Sequence, residues 1–119
     1  MNSIELKERT KQFAHRCVKL AATLPATKLG NHIAGQLIRC STSVPANYRA
    51  ACLAQSKAAF AAKVSIVLEE TDESAFWIEF AVDEKLVSLV KTADLMKEAT
   101  DLTKIFGASR KTASKQREL

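Results

Sequence analysis

The sequence predicts an all-α protein, an antiparallel up-down-up-down four-helix bundle. Three observations carry this expectation. Only 3 Gly and 2 Pro occur in 119 residues, so little interrupts long elements. Ala, Leu, Lys and Glu dominate, and all are good helix formers. Apolar residues recur at spacings of three and four through four successive stretches, while the two-residue alternation of a strand is nowhere sustained. Four helices of about 20 residues, each about 30 Å long, joined by short turns, close into such a bundle. The length suits one domain with a core of its own and no internal repeat.

The first helix is expected from Ser3, its N-cap, to Leu24. Leu6, Thr10, Phe13, Cys17, Leu20 and Leu24 share one face. Pro25 ends it, because the residue before a proline is pushed out of the helical region. The second helix begins between Thr27 and Asn31 and runs to Leu53. Its stripe is Ile33, Leu37, Cys40, Val44, Asn47 and Ala51. Pro45 falls inside it and should kink it, since a proline gives no N–H to the carbonyl of Ser41. The hydroxyls of Ser41, Thr42 and Ser43 are at hand to repair the loss. A full break, with Ser43 capping a new helix, is the other reading.

The third helix is expected over Ser56–Val82, with Phe60, Val64, Val67, Thr71, Ala75, Ile78 and Val82 as its core stripe. Ile66, Trp77 and Phe80 lie on the opposite side of the same helix. A small bundle needs one apolar face per helix, so a second face carrying Trp and Phe calls for a covering chain. These three residues are the candidate oligomer interface. Asp83–Ser88 is a turn, and the fourth helix runs to Phe106 with Leu95, Ala99, Leu102 and Phe106 inward. Gly107 then acts as a C-terminal stop. The bundle domain is thus 1–107, and 108–119 is a basic, frayed, disordered tail.

Composition narrows the function. The N-terminus is polar and charged with no early apolar run, so no leader is expected. No stretch approaches the ~20 apolar residues of a membrane span, and the expected location is the cytoplasm. The cysteines Cys17, Cys40 and Cys52 are odd in number and widely spaced, which suits neither a disulfide framework nor a zinc site. A di-iron centre of the bundle type needs two Glu-x-x-His motifs. Gln12 precedes His15 and Leu29 precedes His32 at that spacing, so both motifs are absent. Cys17 and Cys40 fall on core stripes, where thiols are inert. Gly30, Gly35 and Gly107 are too scattered to cradle a phosphate. No catalytic residue, metal or cofactor is expected, and the chain reads as a non-enzyme.

Charge is unevenly spread. Residues 1–63 hold ten Lys/Arg against Glu5 and Glu8, residues 64–107 hold four Lys against ten acids, and the whole chain is +5. Oppositely charged helices attracting along their flanks would explain this. So would a basic surface for nucleic acid, or complementarity between copies of the chain. For the second reading, Arg39, Arg49 and Lys57 are candidate phosphate contacts, although their helical angles do not converge on one stripe. Asn47 is a polar residue on a core stripe. Such residues fix register or assembly, and its amide could also serve the backbone around Pro45. Pro45 and Asn47 are therefore the candidate structural residues.

The run Gln36-Leu37-x-Arg39-x-Ser41-x-Ser43-Val44-Pro45-Ala46-Asn47 resembles the signature helix of the four-helix-bundle proteins associated with intervening sequences of bacterial 23S ribosomal RNA genes. The family pattern is roughly Gln-Leu-x-Arg-Ala-x-x-Ser-Ile-Pro-x-Asn-Ile-Ala-Glu-Gly. Leu24-Pro25, the Phe76-Trp77 cluster and Lys97-Glu98-Ala99-x-x-Leu102-x-x-Ile105-Phe106 extend the resemblance over nearly the whole chain. After the asparagine this chain departs, with Tyr48, Arg49, Ala50 and Ala51. The resemblance implies an antiparallel bundle, a homopentamer and no established enzymatic activity. The chain is similar, too, to the accessory protein of diversity-generating retroelements, which implies a basic surface meeting nucleic acid and a reverse transcriptase. Two functions follow as expectations: a homo-oligomeric bundle that binds RNA or DNA, or a protein-interaction scaffold with no nucleic-acid role.

Overall fold

A computed structural model describes residues 1–118, with side chains described through Ala113. Four helices follow one another: α1 (Ser3–Ala22), α2 (Lys28–Cys52), α3 (Lys57–Asp83) and α4 (Leu89–Glu118). No strand occurs among the described residues. The extents are 50 × 22 × 21 Å, the length of the longest helix by two helix diameters. Each helix packs on its neighbour in sequence, and α4 returns beside α1 along a sparser seam. The four-helix all-α architecture is the expected one.

The caps show why the helices start where they do. Asn2, not Ser3, caps α1, and its side-chain oxygen accepts from the Glu5 N–H at 2.8 Å. Thr27 caps α2 by accepting from Gly30 N–H at 3.0 Å. Ser56 caps α3 by accepting from Ala59 N–H at 3.0 Å. Each satisfies a donor that has no partner within its helix. Gly30 is required by close approach as well. A Cβ there would stand 2.0 Å from the Pro25 carbonyl oxygen, so the turn after Pro25 admits no side chain at this position.

The core runs the length of the bundle. Phe13 and Cys17 of α1, Ile33, Leu37, Cys40 and Val44 of α2, Val64, Val67 and Ile78 of α3, and Leu102 and Phe106 of α4 are almost fully buried. Five polar residues are buried with them, Thr10, Ser41, Thr71, Ser74 and Thr92. Their hydroxyls return to their own helices: Thr10 donates to the Leu6 carbonyl at 2.9 Å and Thr71 to the Val67 carbonyl at 2.7 Å. No buried side-chain polar atom lacks a partner among the described residues. A hydroxyl closed onto its own backbone needs nothing from a neighbouring helix, so it packs there as a small apolar group.

The stripes drift from the expected ones by single positions. Ala21 replaces Leu20 at the end of α1, and Leu24 lies beyond the helix, which ends at Ala22 and not at Leu24 as expected. On α3 the inward residues are Ala61, Ser74 and Ala81 rather than Phe60, Ala75 and Val82. On α2, Tyr48 takes the core position and Asn47 sits half-buried beside it. At Ala21, Ala61 and Ala81 the smaller residue faces inward and its larger neighbour, Leu20, Phe60 or Val82, covers the edge.

α2 is one helix with Pro45 inside it, so the reading as a break is excluded. The hydroxyls nearby do not turn to Ser41. Thr42 donates to the carbonyls of Ile38 and Arg39, and Asn47 Nδ2 donates to the Ser43 carbonyl at 2.9 Å and to Ser43 Oγ at 2.8 Å.

α3 ends in a Schellman motif. The Leu86 N–H reaches the Ala81 carbonyl and the Lys85 N–H the Val82 carbonyl, both at 2.9 Å. Lys85 has φ of 60°, the left-handed region in which glycine is the usual residue at this position. The strain of a side-chain-bearing residue there is about 1–2 kcal/mol.

Gly107 does not stop α4. The helix continues through it to Glu118, and Ala113, within the stretch expected to be a frayed tail, is buried. The expected tail overlaps positions 114–118, whose side chains lie outside the described residues, as does Leu119 altogether. A glycine stops a helix only where the chain turns left-handed, and Gly107 has no positive φ. Nothing lies within 4 Å of a Cβ built on it. Gly107→Ala should therefore raise the unfolding free energy by about 0.5–1 kcal/mol in urea titrations. A loss of stability would mean that the glycine ends the helix after all.

Candidate functional site

The charged residues near the core sit on two seams. Across α2–α3, Arg39 Nη1 lies 3.2 Å from Glu70 Oε2, its Nη2 hydrogen-bonds Glu73, and its Nε donates to Gln36 Oε1 at 3.2 Å. Across α1–α4, Arg9 grips Glu98 with both prongs, Nε at 2.8 Å and Nη2 at 2.7 Å. Lys97 and Asp101 add a pair one turn apart at 2.9 Å. The guanidinium pKa values of Arg9 and Arg39 are both raised, chiefly by the hydrogen bonds to Glu98 and Glu73.

The three candidate phosphate contacts therefore separate. Arg39 is committed to the acids of α3. Arg49, in the last turn of α2, and Lys57, in the first turn of α3, are exposed and form no ion pair among the described residues. They sit at the same end of the bundle, and Lys57 borders a shallow hollow with Phe60, Ser109 and Thr112.

The candidate interface residues separate as well. Phe80 and Trp77 are half-buried. Trp77 stands edge-on to His32 of α2, with ring centroids 5.5 Å apart, and its Nε1 donates to Glu73 at 3.2 Å. It thus covers the margin of the α2–α3 interface. Ile66 is 37% exposed. Phe76, absent from the expected set, is more open at 50% and packs against both Trp77 at 4.9 Å and Phe80 at 5.8 Å. The three rings make one outward aromatic cluster on α3. Its signal in the sequence is the four-residue step from Phe76 to Phe80, which places the two on one side of a helix.

The two core thiols are held in the neutral form. Cys17 and Cys40 are fully buried. Burial pushes the Cys17 thiol from 9.0 up to about 12 and raises that of Cys40. Ser74 Oγ lies 3.3 Å from Cys40 Sγ. Tyr48, packed on Phe106 at 5.4 Å, is also pushed up to about 12, by burial and then by Cys52. No group of three or more His, Cys, Asp or Glu among the described residues could hold a metal ion. No helix among them is long and apolar enough to cross a membrane.

Known proteins share this arrangement. Residues 2–108 match the family described as 23S rRNA-intervening sequence protein. The chain belongs to that family. A solved structure, a protein of unknown function from the S23 ribosomal protein family of Bacteroides thetaiotaomicron, superposes with a TM-score of 0.82. It is 28% identical, over 88% of this chain and 97% of that one. No curated protein matches the chain. The family match ends at 108, close to Gly107, whereas α4 continues through it.

The buried thiols give a direct check. At pH 8 a thiol reagent should label Cys52 quickly, and Cys17 and Cys40 only after unfolding. A thiol whose folded pKa is raised favours the neutral form in the folded state. Its contribution is complete below pH 9 and is lost as the pH rises toward 12. Urea midpoints measured across that range should fall more steeply for the wild type than for Cys17→Ala.

Proposed function

We propose that this family member is a non-enzymatic, homo-oligomeric bundle of the cytoplasm that binds RNA or DNA through a basic surface. The supporting observation is where the charge goes on folding. The acids of α3 and α4 draw in Arg39 and Arg9, whereas Lys7, Lys11, Arg16, Lys19, Lys28 and Arg49 of α1 and α2 are exposed with no ion pair among the described residues. The first two helices thus keep cations that no ion pair among the described residues uses, and phosphates are the abundant polyanions such cations attract. Titration against labelled RNA and DNA at several salt concentrations is the test. The affinity should fall steeply with salt, and Arg49→Glu should weaken it about threefold, as expected for one phosphate contact. Arg39→Gln should lower stability and leave affinity unchanged. Binding that ignores salt, or no binding at 50 mM salt or so, would overturn the nucleic-acid reading.

The homo-oligomer, a pentamer by family resemblance, draws support from the α3 cluster. Phe76 is 50% exposed and its ring joins those of the half-buried Trp77 and Phe80 in one cluster, an apolar patch of the kind that another chain covers. Phe76→Glu should shift light scattering from the assembly to the monomer while the circular dichroism spectrum stays helical. Phe76 is the better probe than Trp77, which also packs on His32. An assembly that survives Phe76→Glu would remove the cluster from the interface. The same aromatic surface favours the second reading, a scaffold for another protein, which gains ground if the wild type is monomeric and ignores nucleic acid.

A further inference from the structure

We propose that a basic groove between α1 and α4, at the end where α3 turns into α4, is the docking site for a single-stranded nucleic acid. The inference rests on the nucleic-acid reading above and gives it a place and a strand type. Neither is expected from the sequence, where the candidate contacts fall on α2 and at the start of α3.

The groove exists because α1 and α4 meet along the sparse seam of the bundle. Its larger part, about 600 Å³, lies over Leu20 and Val82 and reaches the turn at Leu86 and the start of α4 at Leu89. Leu20, Thr23 and Lys91 also border a second part of about 360 Å³ that continues along the two helices to Leu95. Four cations stand around this space: Arg16 and Lys19 from α1, Lys85 from the turn and Lys91 from α4. Asp94 is the one acid lining it. None of the four forms an ion pair among the described residues. Farther along the same seam the charge is neutralised, because Arg9 is held by Glu98 and Asp101. The four cations of the groove, by contrast, are left unpaired among the described residues.

Lys85 makes a second, independent point. It holds the left-handed position of the Schellman motif, φ 60°, where glycine would relieve the backbone. A side chain kept in a strained conformation suggests a use for that side chain. Here it adds a cation to the rim of the groove.

The floor decides the strand type. A duplex offers a protein mainly phosphates and groove edges, and its base faces are stacked away. A single strand also presents base faces, which can lie on apolar surface while the phosphates meet the cations. Leu20, Leu86 and Leu89 supply aliphatic surface beside Arg16 and Lys19 of α1, Lys85 of the turn and Lys91 at the start of α4. Arg16 and Lys19, three residues apart on α1, are about 5–6 Å apart at their Cβ atoms, which suits successive phosphates.

The test uses the full chain, a labelled single-stranded oligonucleotide and the duplex of the same sequence, each titrated over a range of salt. The wild type should prefer the strand. Arg16→Glu with Lys19→Glu should lower affinity at least about tenfold and reduce the salt slope by about 1.4, at roughly 0.7 for each phosphate no longer neutralised. Lys85→Gly should reduce the slope by about 0.7. Because glycine suits the backbone there, this variant should melt no lower than the wild type, so its weaker binding could not be blamed on unfolding. A wild type that binds while both groove variants bind equally well overturns the groove and leaves the nucleic-acid reading standing. Preference for the duplex overturns the single-strand assignment. A wild type that binds neither probe overturns both proposals together.

Discussion

The register of α2 against α3 governs most of what the surface displays. It is set by the burial of Leu37, Cys40 and Val44 against Val67, Thr71, Ser74 and Ile78, with Ser74 Oγ 3.3 Å from Cys40 Sγ. A slip by one residue would turn side chains by about 100° around the axis, taking these seats out of the core. With the register fixed, Arg39 falls opposite Glu70 and Glu73, and His32 falls opposite Trp77. The ion pairs are therefore consequences of packing. Arg39 is half exposed, and pairs of that kind contribute no more than about 1 kcal/mol. They matter for which charges they remove from the surface.

That removal changes the meaning of the charge asymmetry. In the sequence it has three explanations: attraction between flanks, a basic surface, and complementarity between copies. The folded chain gives the first a definite but limited place. Arg39 and Arg9 bridge to the acids of α3 and α4, and most of the remaining cations of the first two helices do not. Flank attraction thus accounts for individual pairs and leaves most of the positive charge facing solvent.

The fold is legible in the sequence because helix periodicity, caps and breakers agree with one another at nearly every position. Pro25, Thr27 and Ser56 mark boundaries by local chemistry alone, and the structure respects each of them. Two departures share a cause. Residue type alone makes Gly107 a stop and Ser3 a cap, but a stop depends on φ and a cap on which oxygen reaches a free N–H. The basic groove is illegible for a different reason. Arg16 and Lys19 are about 70 residues from Lys85 and Lys91 in sequence, and nothing local links them. They meet only because α4 closes back onto α1. Phe76 hides beside Trp77 because neighbouring aromatics look like one feature in sequence, while a helix turns them by about 100°.

The signature segment of α2 shows how a family pattern survives a change of residues. Where the family pattern continues Ile-Ala-Glu-Gly after the asparagine, this chain has Tyr48, Arg49, Ala50 and Ala51. Tyr48 keeps the inward position of the isoleucine and is 6% exposed, its ring resting on Phe106. Ala51 stands where the pattern has glycine and is 1% exposed, so the requirement there is for a small residue in the core. Ala50, in place of the glutamate, is half-buried and brings no charge. What holds here is burial at the inner positions, together with the local closure of Asn47 onto Ser43 behind Pro45. The outer positions, Arg49 among them, are free of those constraints. Partner preference can therefore change there without disturbing the bundle, and members that share this fold need not share a ligand.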